Sequence, residues 1–268
     1  LIMMELQFLS TSSAGLLLQA ILQMNLDLQL MPSLKSSSLA NKSLLLKALR
    51  CENREKRPPI WVMRQAGRAL PAYQKIRKQY SLNELFQNSR HIDTITRLPL
   101  TYLGVDAAII FADILHVALP LGIEVHFPGS GGIRLNPLIQ NREDVNKLSK
   151  KSVKKTLQFV FEGIGLVKQN LLKPLIGFAG GAFTLATYLT GKKAGIWMAS
   201  DPKSFHELLA RIAEITIEYL QLQIEAGVDA IQIFESWANM LSKAEFQEFA
   251  LPYLIQIRKA LPEEISFI

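Results

Sequence analysis

Cysteine is nearly absent: Cys51 stands alone in 268 residues, so no internal disulfide framework holds the fold, and a reducing compartment suits it. The four histidines, His91, His116, His126 and His206, are scattered. With no cysteine partner they show no metal-ligand spacing. No run of five or six basic residues occurs. The densest cluster, Lys147 to Lys155, is broken by serines and lies on a predicted helix, so it reads as a solvated face rather than a nucleic-acid patch. Long uninterrupted apolar runs are missing as well. The most apolar early stretch, residues 15–31, contains Gln19, Gln23, Asn25, Asp27 and Gln29, which makes it a poor membrane span. The start lacks the basic region and small-residue cleavage site of a secretory signal, and no arginine precedes Arg50, unlike an ordinary transit peptide. Residues 1–38 therefore read as an extension, disordered or non-native, with Met31 a candidate native start and a cytoplasmic setting expected.

What is present is ordinary for a globular protein with a sizeable core: 49% hydrophobic and 20% charged residues. The formal charge of +7 favours an anionic partner without naming it. From Leu39 onward, short apolar runs alternate with helical periodicity. The runs are Ile60 to Met63, Asp106 to Ala112, Leu175 to Phe178 and Ala230 to Phe234, with a fifth begun at Ile265 to Ile268. Helices are expected over Leu44 to Leu49, Asn83 to Tyr102, Arg142 to Lys150, Val153 to Leu172, Phe183 to Leu189, Pro202 to Glu225 and Lys243 to Leu261. A polar segment runs through Lys78. Ile123 to Phe127 and Ile133 to Leu135, joined by Pro128-Gly129-Ser130-Gly131-Gly132, read as an excursion hairpin.

Buried strands alternating with long helices point to a parallel α/β sheet. A (β/α)8 TIM barrel is favoured over a doubly wound sheet because polar or glycine-containing segments stand at the C-terminal ends of all four complete runs, where barrels build their sites. The expected extent is strands one to four and the start of the fifth, with residues 39–268 as one partial barrel. After the first run come Arg64 and Arg68, whose guanidiniums offer planar forks for carboxylate or phosphate. Asp113 follows the second run, the Gly177 to Gly181 turn and then Tyr188 the third, and Ser236 the fourth. Together they suggest an anion pocket. Taken singly, each has a plainer reading: the arginines as surface ion pairs and Asp113 as a helix cap. The glycine turn lacks the Lys-Ser/Thr ending of a P-loop and more readily serves close packing. Pro252 kinks or starts a helix, and Trp237 suits either a pocket wall or the core.

The strings MRQAGRALPAYQKIR (Met63 to Arg77), IIFADIL (Ile109 to Leu115), GFAGGAFTLATYL and IQIFESWANMLSKAEFQEFALPYL resemble, in order, the motifs of uroporphyrinogen decarboxylases. The resemblance runs from about Leu39 to the last residue. It implies a cofactor-independent carboxy-lyase that converts the four acetates of uroporphyrinogen III to methyls, giving coproporphyrinogen III. On that resemblance Arg64 and Arg68 position substrate carboxylates, one of them a proposed proton donor, and Asp113 accepts hydrogen bonds from pyrrole N–H groups. Tyr188 and Ser236 contact a carboxylate near the reacting acetate, with Arg77 and Gln65 as further candidates at the rim and in the surrounding shell. No metal, membrane or nucleic acid is implied, and the whole protein is expected to form a homodimer. Ala69 and the GGAF string depart from the family pattern, and no residue here matches the family's late Gly-His motif. The stretch given is therefore expected to be inactive by itself and to lack strands six to eight. Two other readings stand beside this one: a corrinoid-linked methyltransferase of the same superfamily, with zinc held by His and Cys, and a non-catalytic truncated remnant.

Overall fold

The computed structural model describes residues 43–62, 69–128 and 132–268. The expected extension over residues 1–38 lies outside them. In chain order the elements are α1 (Leu44–Leu49), α2 (Pro71–Gln79), α3 (Leu82–Phe86), α4 (Ser89–Leu103), β1 (Ala108–Ile109), the hairpin β2 (Glu124–His126) and β3 (Arg134–Asn136), α5 (Arg142–Asn146), α6 (Val153–Thr156), α7 (Gln158–Gln169), β4 (Leu175–Gly180), α8 (Ala182–Leu189), α9 (Ala194–Ser200), α10 (Pro202–Ala226), β5 (Ala230–Phe234), α11 (Lys243–Phe249), α12 (Leu251–Lys259) and β6 (Ser266–Phe267). Short 3-10 turns cover Ile114–Ala118 and Ser236–Met240.

Four strands form one sheet in the order β1-β4-β5-β6, every neighbouring pair parallel. Parallel neighbours require crossovers, and here helices supply them. Every residue of β4 is buried, as expected for a strand covered on both faces. This is a partial barrel. The excursion hairpin forms as expected, β2 antiparallel to β3 with Val125 opposite Leu135.

The longest helix shows why the sequence folds so. Asp201 accepts the Ser204 N–H at the start of α10, Pro202 sits in its first turn, and Gly227 at φ 112° ends it. Phe205, Leu208, Leu209, Ile212, Thr216, Tyr219 and Gln223 line its buried face at helical spacing. The apolar ones among them join a continuous core with the strand residues Leu175, Phe178 and Ile231. Gln223 closes the contact by accepting the Phe178 N–H (3.0 Å) and donating to the Phe178 carbonyl (2.9 Å).

Several elements differ from expectation. Ile60 to Val62 is not a regular strand. It nevertheless begins the expected pairing, since the Asp106 N–H donates to the Ile60 carbonyl at 2.7 Å. The polar segment after it contains a helix, α2, started by Pro71. The helix expected over Lys243 to Leu261 is broken between α11 and α12, because Pro252 has no N–H to donate and crowds the preceding turn. Among the described residues no helix is long and apolar enough to cross a membrane.

Candidate active site

Because the strands run parallel, the segments after β1, β4 and β5 emerge at one end of the sheet. Asp113, just past β1, is half-buried and caps the 3-10 turn behind it: its Oδ1 accepts the Leu115 N–H at 2.9 Å, and its own N–H donates to His116 Nδ1 at 3.3 Å. Capping thus coexists with a carboxylate placed at the strand end. His116 lies buried between the rings of Phe86 and Phe159, both edge-on to it. Desolvation in that cage holds its pKa down to about 3, so it serves as a neutral hydrogen-bond acceptor. Burial, and then the charge of Asp113, push the Tyr219 hydroxyl above its ordinary range.

The end of β4 approaches the same turn. A Cβ on Gly180 would meet Ile114 Cβ at 3.2 Å, so glycine allows the Asp113 turn to close on the strand. At the next residue a Cβ on Gly181 would collide with the carboxylate of Glu235, which reaches over from the end of β5. Glu235 Oε1 accepts the Thr184 N–H at 2.6 Å, in the first turn of α8, where helix N–H groups lack partners and favour an anion. Its Oε2 is buried with no hydrogen-bond partner among the described residues. Burial raises the carboxyl's pKa against the opposing donors of Thr184 and Phe183.

This bridge joins the elements carrying two predicted site residues. Ser236, exposed, opens the turn after β5, and Tyr188, half-buried, lies near the end of α8. The Trp237 N–H donates to Thr184 Oγ1 at 3.1 Å, and the Trp237 ring meets Tyr188 edge-on at 5.8 Å between centroids. Trp237 is therefore a wall against α8. Arg77 lies on α2, half-buried, and donates to the Tyr80 carbonyl at the end of its own helix. That helix reaches the site through Tyr73, whose ring contacts Phe111 at 6.1 Å. Arg64, Gln65 and Arg68 lie outside the described residues. Sequence reasoning passed over Glu235, Thr184 and His116. For Glu235 the usable signal was the Gly180-Gly181 pair, since a glycine with no positive φ requirement signals a close neighbour. Among the described residues no group of three or more His, Cys, Asp or Glu side chains could hold a metal ion.

The family model for uroporphyrinogen decarboxylase (URO-D) matches residues 40–268. The chain belongs to that family. It is 42% identical over 253 residues to the uroporphyrinogen decarboxylase of Protochlamydia amoebophila, covering 92% of this chain and 69% of that protein. It is 44% identical over 207 residues to that of Chlorobium phaeobacteroides, covering 74% of this chain and 59% of that one. The chain thus spans about three-fifths to two-thirds of the length of these curated relatives. Among solved structures, a methyltransferase from Methanosarcina mazei superposes with a TM-score of 0.64 at 16% identity, covering 81% of this chain and 67% of that one. At that identity the likeness shows the barrel fold alone.

Proposed function

We propose that the full-length protein decarboxylates the four acetate side chains of uroporphyrinogen III to give coproporphyrinogen III, without a cofactor. Membership of the family over residues 40–268 supports the reaction. The observation that carries it at the site is Asp113: a carboxylate at the strand end, with its backbone held by its own turn and by His116. Losing carbon dioxide from an acetate on a pyrrole needs an electron sink, and protonation of the adjacent ring carbon supplies one as a cationic pyrrole. Asp113 accepts the pyrrole N–H groups and stabilises that cation where water screens it poorly. Arg64 and Arg68 provide carboxylate recognition and one of them the proton. Tyr188 and Ser236, on elements joined by the Glu235 bridge, hold a carboxylate in register with the reacting acetate. Gln65 and Arg77 complete the surroundings. The same reading carries a cytoplasmic homodimer that takes neither nucleic acid nor membrane as partner.

Anaerobic incubation of the full-length protein with uroporphyrinogen III, followed by oxidation and chromatography of the porphyrins, tests this. Stepwise loss of four carboxylates without added metal or corrinoid is expected. Failure of the macrocycle to lose carbon dioxide, or methyl transfer from a corrinoid in its place, overturns it.

A further inference from the structure

We propose that Lys192 is a further substrate-carboxylate residue of this site, one that reads a carboxylate other than the reacting acetate. The inference rests on the decarboxylase reading and deepens it. Lys192 follows α8, four residues after Tyr188, and its backbone takes φ 67° directly after Gly191 at φ 64°. Glycine adopts that left-handed conformation freely, whereas a lysine pays for it. The position is fixed by its N–H donating to the Thr187 carbonyl at 2.7 Å. A strained residue standing where glycine would fit is reason to ask what its side chain does.

The side chain reaches the turn after β5. Lys192 Nζ stands 5.6 Å from the centroid of the Trp237 ring, the ring that follows Ser236 and meets Tyr188 edge-on. No carboxylate lies within ion-pair distance of Lys192 among the described residues. By contrast, Lys168 is closed on Asp229 at 2.7 Å and Lys150 on Glu214 at 3.6 Å. A cation over an aromatic face is oriented but keeps its N–H donors for another partner. The nearby acid, Glu235, is turned under the turn toward Thr184. Lys192 therefore presents an uncommitted positive charge beside Trp237 and Tyr188, at the turn that carries Ser236, and the chemistry that fits it is a peripheral carboxylate of a polyanionic macrocycle. Since the carboxylate it would hold is not the one that leaves, its interaction is the same in ground and transition states. Its loss then appears in KM and not in kcat.

The test uses the full-length protein and three variants: Lys192→Met, which keeps the stem on Trp237, Lys192→Arg and Lys192→Gly. Kinetics with uroporphyrinogen and fluorescence titration with uroporphyrin, the oxidised and unreactive octacarboxylate, are run at two ionic strengths. Lys192→Met is expected to raise KM and weaken porphyrin binding roughly 2- to 5-fold, the range of one exposed ion pair. kcat should stay within about twofold, Lys192→Arg should restore binding, and the salt dependence should flatten in the Met variant. Lys192→Gly should gain thermal stability while losing the same affinity. Met and Gly variants that match the parent in porphyrin affinity overturn the proposal. A parent that binds the porphyrin but never decarboxylates it defeats the reaction assigned above, while the binding comparison still decides the role of Lys192.

Discussion

Asp106 holds the backbone of Ile60 from both sides: its Oδ2 accepts the Ile60 N–H at 2.8 Å, and its own N–H donates to the Ile60 carbonyl at 2.7 Å. Asp229 repeats the arrangement on Leu175, with both distances 2.8 Å. Each aspartate sits in a Gly-Val-Asp-Ala string, Gly104 to Ala107 and Gly227 to Ala230. In both, the glycine ends a helix at positive φ. Two stretches of the chain are therefore built alike, each aspartate stapling a strand to the run before it at the N-terminal edge of the sheet. At the opposite edge the two copies read Phe111-Ala112-Asp113 and Phe234-Glu235-Ser236. Asp113 and Ser236 hold equivalent places, and the edge used for stability is the one away from the site.

The Asp106 staple predicts a defined acid sensitivity. Its side chain is 5% exposed and paired with Arg57 at 2.7 Å, with Lys173 at 3.7 Å. The hydrogen bond from Arg57 foremost holds its pKa down to about 2. A depressed carboxylate contributes stability above its unfolded pKa, lost as pH falls from about 4 toward 2. That contribution is on the order of 2 kcal/mol at most, because Arg57 is largely solvated. Asp106→Asn should lower stability in denaturant melts at pH 7 by about that amount, with the gap to the parent closing near pH 2. An unchanging gap would show that the charge contributes nothing.

Asp113→Asn should keep the fold, because the side-chain oxygen can still accept the Leu115 N–H. Removing the charge that meets the cationic pyrrole should slow turnover by roughly 100-fold or more. Circular dichroism and steady-state rates on the full-length variant check both halves. A rate within a few-fold of the parent refutes the role.

The parts of the fold carried by local rules could be read in advance. The hairpin announced itself through the Pro-Gly-rich turn between two short apolar runs, and α10 through its long apolar period after Pro202. Helix α2 escaped because none of its residues is fully buried and its few apolar positions, Ala72, Tyr73 and Ile76, make only a narrow stripe among polar residues. Ile60 and Val62 looked like a buried strand but are 55% and 43% exposed, since burial depends on neighbours that an apolar run cannot reveal. Among the proposed site residues, Asp113, Tyr188 and Ser236 could be named because each follows an expected strand. Glu235 did not, because its partner Thr184 is 51 residues away and only the fold brings them together. The doubled Gly-Val-Asp-Ala string was in plain view, and its meaning depends on which strands it joins.

His116 predicts a second acid effect, in a different window. With its folded pKa near 3, the unfolded chain takes up a proton below about 6.5 that the folded chain refuses. Stability should therefore fall as pH drops from about 6.5 toward 3, by up to roughly 1.4 kcal/mol per pH unit. His116→Phe suits the cage of Phe86 and Phe159 but loses the acceptor for the Asp113 N–H. It should start less stable at pH 7 and lose less on acidification. A variant as steeply pH-dependent as its parent over that window would assign the effect elsewhere.

Glu235 predicts opposite outcomes for two substitutions at one position. Its Oε1 has a partner and its buried Oε2 has none among the described residues, so the carboxylate is anchored at one oxygen and costly at the other. A carboxyl whose folded pKa is raised favours the fold while protonated, and that advantage is lost as pH climbs through the raised value. Glu235→Gln keeps an oxygen for the Thr184 N–H and carries no charge to bury. It should match or exceed the parent in melting temperature at pH 7 and show a flatter pH dependence above about 4.5. Glu235→Ala removes the acceptor as well, leaving an N–H in the first turn of α8 unpaired, and should cost about 1–3 kcal/mol. Because Thr184 also receives the Trp237 N–H, losing the bridge should let the Ser236 turn move away from Tyr188. In the full-length protein KM should then rise for the Ala variant and not for Gln. If Gln proves as destabilising as Ala, the charge itself holds the two elements together, and the account of Glu235 as an anchored but penalised acid is wrong.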